Sequence, residues 1–241
     1  MKNEQYRSEE LVTAYAEMTV STGIWKSEIE SISKYCKHSD PLLDVGCGTG
    51  RISIGLYEHG YKSIYALDVS EPMIQKAKQI TPPEYAIKYV QSDITSECAF
   101  PKGFFRVAIF GYNGLMCIKG IENRKRAIKN IFSMLQPDGF FIFTAMERYV
   151  SPESARYVFW KERENDFLAS GKSIDDSFGD LYVEDKGHTV FHHFIDEYEI
   201  PKMLGDNWCV LDTFLRDDKF KEEDNVLKVS NNCRFFICQK R

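Results

Sequence analysis

The seven cysteines of this 241-residue chain never form a Cys-x-x-Cys pair, so the usual spacings of a structural zinc site and of a disulfide framework are both missing. Scattered single thiols suit a reducing compartment, and a cytoplasmic location is expected. No apolar run approaches the roughly 20 residues that a membrane span needs. No basic segment followed by an apolar one opens the chain, so no secretory leader is expected. Excess positive charge is missing too. Lys and Arg number 31 against 36 Asp and Glu, a formal net charge of −5. That balance disfavours a broad nucleic-acid surface, although a local basic patch stays open. No internal repeat or low-complexity tract is present. What remains is 43% apolar and 28% charged, the composition of a globular chain long enough for one generous domain or a domain with a lid.

One segment carries chemistry. Pro41-Leu42-Leu43-Asp44-Val45-Gly46-Cys47-Gly48-Thr49-Gly50-Arg51 is a short apolar run ending in an acid and then three alternating glycines. A buried strand that turns tightly into a helix has this form. Glycine lets a ligand approach the backbone, and the amides of the following helix start face that ligand. Asp44 selects the ligand. A carboxylate there would repel the pyrophosphate of a dinucleotide, whereas it suits a cofactor bearing an ammonium and a sulfonium, which points to S-adenosylmethionine. Ser63 to Asp68 reads as a second strand, and its closing acid stands roughly 20 residues beyond the glycines, where a ribose diol is held. Met73 then packs on an adenine face. After a third strand over Tyr85–Val90, Asp93 accepts from the adenine amino group and the Ile94 amide donates to the ring.

From about Asp40 to Ala145 the chain resembles the class I S-adenosylmethionine-dependent methyltransferases. Asp44, Gly46, Gly48 and Gly50 match that family's glycine-rich loop, Asp68 its ribose acid and Asp93 its adenine contact. Pro137-Asp138-Gly139 matches its turn into the fifth strand. A lone Gly-x-Gly-x-Gly would not discriminate, since dinucleotide-binding folds carry something close. The family often has an acid where Arg106 stands here, so that contact is missing or replaced.

The resemblance implies an α/β fold, a doubly wound, mostly parallel seven-stranded sheet with an antiparallel C-terminal strand. Helices over 4–19 and 22–37, the second capped by Ser21 or Thr22, would fold over the cofactor and bring Tyr15 or Trp25 to it; both are equally readable as core aromatics. Strands are expected at Phe104–Phe110, Phe140–Phe143, Cys209–Leu215 and Arg234–Gln239. A helix over Ile121–Leu135 places Arg124, Lys125, Arg126 and Lys129 on a solvated face. Residues 1–146 and 197–241 form the core, and 147–196 an insertion after strand five, where related small-molecule enzymes carry a substrate lid. Within it a helix over 151–169 and a hairpin around Asp185-Lys186-Gly187 are expected.

Methyl transfer by this family is an in-line displacement at the sulfonium, with alignment supplied by the protein and a general base optional. Gly111-Tyr112-Asn113-Gly114 follows strand four; it is neither Asn-Pro-Pro-Tyr nor a Pro-Cys pair, which argues against base and glutamine amide acceptors. Tyr112 and Asn113 are expected on the pocket floor, Tyr112 near the cofactor as well, with Glu147 facing the same region. His188, His192 and His193 are candidate bases or acceptor contacts. His192 and His193 would point to opposite faces of a strand, so no metal site is expected. A small-molecule acceptor is the leading reading. An RNA or protein acceptor, or a non-catalytic cofactor-binding module, stays open, and the oligomeric state is not readable.

Overall fold

Apolar runs flanked by helix signals form strands buried on both faces, and such a sheet needs helices on each side. The structure, a computed structural model, describes residues 6–96, 98–185 and 187–241. In chain order the elements are α1 (Glu9–Thr22), α2 (Lys26–Ser33), β1 (Leu42–Val45), α3 (Arg51–Glu58), β2 (Ile64–Asp68), α4 (Glu71–Ile80), β3 (Lys88–Gln91), β4 (Phe105–Phe110) and α5 (Ile121–Met134). There follow β5 (Leu135–Ala145), α6 (Ala155–Ala169), β6 (Asp180–Asp185), β7 (His188–His193), α7 (Glu199–Leu204), β8 (Trp208–Leu215), α8 (Arg216–Lys219), α9 (Asp224–Val229) and β9 (Arg234–Lys240).

Seven strands make one sheet in the order β3-β2-β1-β4-β5-β9-β8. The first five are parallel, and β9 runs antiparallel to both β5 and β8. This is the expected α/β architecture. The chain builds outward from β1 through β2 to β3 and then crosses to β4 on the other side of β1, and that reversal opens a crevice at the carboxyl ends of the strands. Two apolar layers flank the sheet. One is built on Phe105, Ile131, Phe141 and Phe143, the other on Leu42, Leu56, Ile109 and Phe235.

Several boundaries differ from the sequence reading. Of the helix expected over 4–19, residues 4 and 5 lie outside the described residues, and the helix runs three residues further, to Thr22. Thr22 therefore closes α1 rather than capping α2, and Gly23, at φ 58°, breaks the two apart. β5 is longer than Phe140–Phe143, and Asp138 within it takes φ 56° where its register against β4 shifts. Arg106 replaces the family acid: it donates to the Asp138 carbonyl at 3.2 Å and lies 4.8 Å over the Phe140 ring. Arg124 is not on the solvated face. It is buried and donates to the Ile118 carbonyl at 3.0 Å, while Lys125, Arg126 and Lys129 are exposed.

The 147–196 segment holds α6 and a separate two-stranded sheet of β6 and β7, packed around Trp160, Phe178 and Phe194. Lys186 of the expected turn lies outside the described residues. Glu147 at the start of the segment is buried in an ion pair with Arg234 and does not line the crevice.

Candidate functional site

The loop between β1 and α3 owes its path to glycine. Gly46 has φ 64°, and a Cβ there would lie 2.5 Å from the Phe110 ring. Gly48 has φ 53° and open space where a Cβ would stand, so backbone faces the crevice directly. The Gly48 amide donates to Asp68 Oδ2 at 2.9 Å, and the Ser70 amide to Asp68 Oδ1 at 2.8 Å. The carboxylate at the end of β2 is thus held in a fixed orientation. Burial raises its pKa, and the two amides counter that shift. At the end of β1, Asp44 is 1% exposed and accepts from Ser53 Oγ at 2.6 Å. Burial pushes its carboxyl up to about 7, against the pull of Ser53 and Arg51.

Beyond these acids lies a cavity of about 220 Å³. Of the residues named from sequence, Tyr15, Asp44, Gly46, Gly48, Asp68, Met73, Asp93, Ile94 and Tyr112 line it. Asp93 Oδ1 accepts from the Thr95 amide and hydroxyl at 2.8 and 2.7 Å, which fixes the turn after β3.

Six others lie outside the lining. Trp25 is a core aromatic, with the Arg51 guanidinium 4.3 Å over its ring and Tyr112 edge-on at 5.7 Å. Gly50 precedes α3 at φ 90°, where its missing Cβ makes room for the Tyr89 hydroxyl. Asn113 takes φ 59° and donates its amide to Thr144 Oγ1 at 2.8 Å, so it shapes the loop after β4. His188 sits opposite Asp185 in the β6–β7 ladder. His192 and His193 do point to opposite faces, but both faces are covered. His192 is 5% exposed, with Nδ1 3.6 Å from Cys117 Sγ, and burial lowers its pKa to about 3. His193 is 1% exposed, with its two ring nitrogens 2.8 Å from Asp180 and from Glu199. Among the described residues no group of three or more His, Cys, Asp or Glu is arranged to hold a metal.

The lining also contains residues that the sequence reading passed over: Tyr6, Thr19, Thr49, Arg51, Cys117 and Lys119. Arg51 left a signal. A cation in the first turn of a helix opposes the helix dipole and calls for a partner elsewhere. That partner is Glu28, which takes both terminal nitrogens at 2.7 and 2.6 Å inside the core. The Thr19 and Thr49 hydroxyls meet at 2.7 Å beside it. Nothing local marks Thr19, which reaches the site only because α1 folds over the loop.

Residues 42–139 match the sequence model of the family described as Methyltransferase domain. The Bacillus subtilis (strain 168) protein YqeM is 31% identical over 102 residues, which cover 42% of this chain and 40% of that one. Malonyl-[acyl-carrier protein] O-methyltransferase of Enterobacter lignolyticus (strain SCF1) is 28% identical over 166 residues, covering 68% of this chain and 62% of that one. The chain therefore spans less than two thirds of the length of these relatives. Among solved structures, an S-adenosylmethionine-dependent methyltransferase of Methanosarcina mazei shares the fold, with a TM-score of 0.68 at 21% identity over 87% of this chain and 96% of that one. Residues 42–139 thus match a methyltransferase domain, and the chain takes the fold of S-adenosylmethionine-dependent methyltransferases. S-Adenosylmethionine is the cofactor of that family.

Proposed function

We propose that this chain transfers the methyl group of S-adenosylmethionine to a small-molecule acceptor. The observation that carries the reading is the cavity at the strand ends, with Asp44, Asp68 and Asp93 on one floor and glycine backbone between them. These residues fit the cofactor. Asp68, already oriented by two amides, accepts from the ribose diol. Met73, Asp93 and Ile94 bound the adenine side. Asp44 would face the ammonium, and the Thr19 and Thr49 hydroxyls, lining the same cavity as the Glu28-paired Arg51, would receive the methionyl carboxylate. Bound here, the cofactor supplies an electrophilic methyl group. In-line attack by an acceptor lone pair on that methyl carbon would return the C–S electron pair to sulfur and release S-adenosylhomocysteine.

The chain's own contribution is alignment and exclusion of water. Tyr6 and Tyr15 from the N-terminal segment and Tyr112 after β4 wall the acceptor side. The 147–196 segment acts as the acceptor lid, and its hairpin reaches α1 through the Tyr15 hydroxyl, which donates to Asp185 at 2.9 Å. No helix among the described residues is long and apolar enough to cross a membrane. The seven cysteines are free thiols, a pattern that suits the cytoplasm. The test is incubation of the protein and isotopically labelled cofactor with a metabolite extract, followed by mass identification of the product. A labelled small molecule is expected; label only in RNA or protein would overturn the acceptor assignment.

A further inference from the structure

Tyr6 is fastened to both banks of the crevice. Its backbone carbonyl accepts from Ser70 Oγ at 2.6 Å, just beyond the end of β2. Its ring lies on the other bank, beside the Cys117 thiol that follows β4; burial and that neighbouring thiol both raise the pKa of the phenol. β2 and β4 stand on opposite sides of β1, so the residue spans the cavity that the glycine loop floors.

Ser70 joins this residue to the cofactor floor. It is fully buried and does not line the cavity, yet it bonds to three residues that do. Its amide donates to Asp68 Oδ1 at 2.8 Å, and its Oγ accepts from the Met73 amide at 3.4 Å. Capping α4 uses only the lone pairs of that oxygen. The hydroxyl hydrogen goes to the Tyr6 carbonyl, 64 positions earlier in the chain.

The segment that Tyr6 opens is anchored elsewhere too. Near the carboxyl end of α1 the Thr19 and Thr49 hydroxyls meet at 2.7 Å, and the Ser21 carbonyl accepts from Asn225 Nδ2 at 2.8 Å. Further along the helix, Tyr15 donates to Asp185 at 2.9 Å. The amino end is held through Tyr6. A clasp made of one backbone carbonyl and one ring opens at less cost than a helix packed along its length. Both fastenings of Tyr6 join groups of the chain itself, so each must yield for a ligand to enter as well as to leave.

We propose that Tyr6 is a bar across the cofactor cavity, positioned by Ser70, and that S-adenosylmethionine and S-adenosylhomocysteine pass only when the Ser70–Tyr6 bond opens. This rests on the methyltransferase reading above. A bond that holds the bar with or without ligand slows passage in both directions alike. Weakening it should speed association and dissociation together and leave the affinity near its starting value. A residue that merely supported the ribose acid would act on the bound state, and its loss would speed dissociation alone.

The experiment measures both rate constants for isotopically labelled S-adenosylhomocysteine and the full chain, by rapid mixing and by chase with unlabelled ligand. In Ser70→Ala both should rise by about fivefold or more, as loss of one buried hydrogen bond implies. The equilibrium affinity should stay within about threefold. Ser70→Thr, which keeps the hydroxyl, should restore the parent rates. Tyr6→Ala removes the ring from the Cys117 bank and should speed both steps as well, and it decides the matter if a thermal melt shows Ser70→Ala to be unfolded. Unchanged rates in either folded variant overturn the proposal, and so does a rise in dissociation alone. Failure of the parent chain to bind S-adenosylhomocysteine removes the methyltransferase reading and this inference with it.

Discussion

Asp44 holds a proton to a pH of about 7 because the end of β1 is dry. An unfolded chain releases that proton near the ordinary value of 3.8, so between the two values the folded state binds more protons and its stability falls as pH rises. A cationic ligand reverses the preference by favouring the carboxylate. Affinity for S-adenosylmethionine should therefore climb by up to about tenfold per pH unit below pH 7 and level off above it. Calorimetry from pH 5.5 to 8.5 measures this. In Asp44→Asn the slope should flatten, binding should weaken, and the ligand-free protein should melt higher at pH 8. A second residue gives an independent measure: Asp68→Ala removes charge-assisted acceptors and should weaken S-adenosylhomocysteine binding by about 1–3 kcal/mol. Unchanged affinity would mean that the ribose is held elsewhere. Both acids were legible in the sequence because each closes an apolar strand directly before a turn. Arg51 was half legible, as a cation at a helix start. Tyr6 and Thr19 were not, because they reach the cavity through the packing of α1 and of the residues that precede it, and leave no local pattern.

Among the elements, α2 shows where local reading stops. Ser8, Ser70 and Ser154 cap α1, α4 and α6 from the adjacent residue, and such caps are visible in a sequence. The start of α2 is served from the far end of the chain: Glu222 accepts from the Lys26 amide at 3.0 Å and the Ser27 amide at 2.9 Å. Its position therefore depends on the chain after β8, and the expected cap at Ser21 or Thr22 was claimed by α1. A carboxylate at a helix N-terminus combines capping with a favourable dipole interaction. Glu222→Ala should cost about 1–2 kcal/mol and lower the melting temperature by a few degrees. An unchanged melt would show that water replaces the carboxylate without loss. Because α2 carries Glu28, the partner of Arg51, the same variant should also weaken cofactor binding slightly.

At the scale of the molecule, the seven-stranded sheet presents the cavity at its strand ends, and the 147–196 segment adds α6 and a second, two-stranded sheet. The sheet was legible because buried parallel strands are continuous apolar runs. The role of the three histidines was not, because sequence spacing shows which face of a strand a residue takes and not what covers that face. His193 turned out to be a tether. Its Nδ1 meets Asp180 of β6 and its Nε2 meets Glu199 of α7, each at 2.8 Å, and Arg148 meets Glu199 at 2.7 Å. Burial alone would raise the Glu199 carboxyl, yet His193 and Arg148 more than offset it and hold it below its ordinary 4.5. A depressed carboxyl stabilises the fold above its unfolded value and loses that contribution as pH falls through the folded one. Acid should accordingly loosen the hairpin that reaches Tyr15 before it unfolds the sheet. In His193→Ala, Asp180 and Glu199 lose the group between them, so the hairpin should open locally while the strand ends keep their geometry. Hydrogen exchange over residues 180–194 should then accelerate more than about tenfold, roughly 1.4 kcal/mol of local stability, with S-adenosylhomocysteine affinity held within about twofold. His188→Ala, at a half-buried ladder position, should change neither reading. Equal exchange in His193→Ala and the parent chain would show that the aromatic packing of Trp160, Phe178 and Phe194 holds the hairpin by itself.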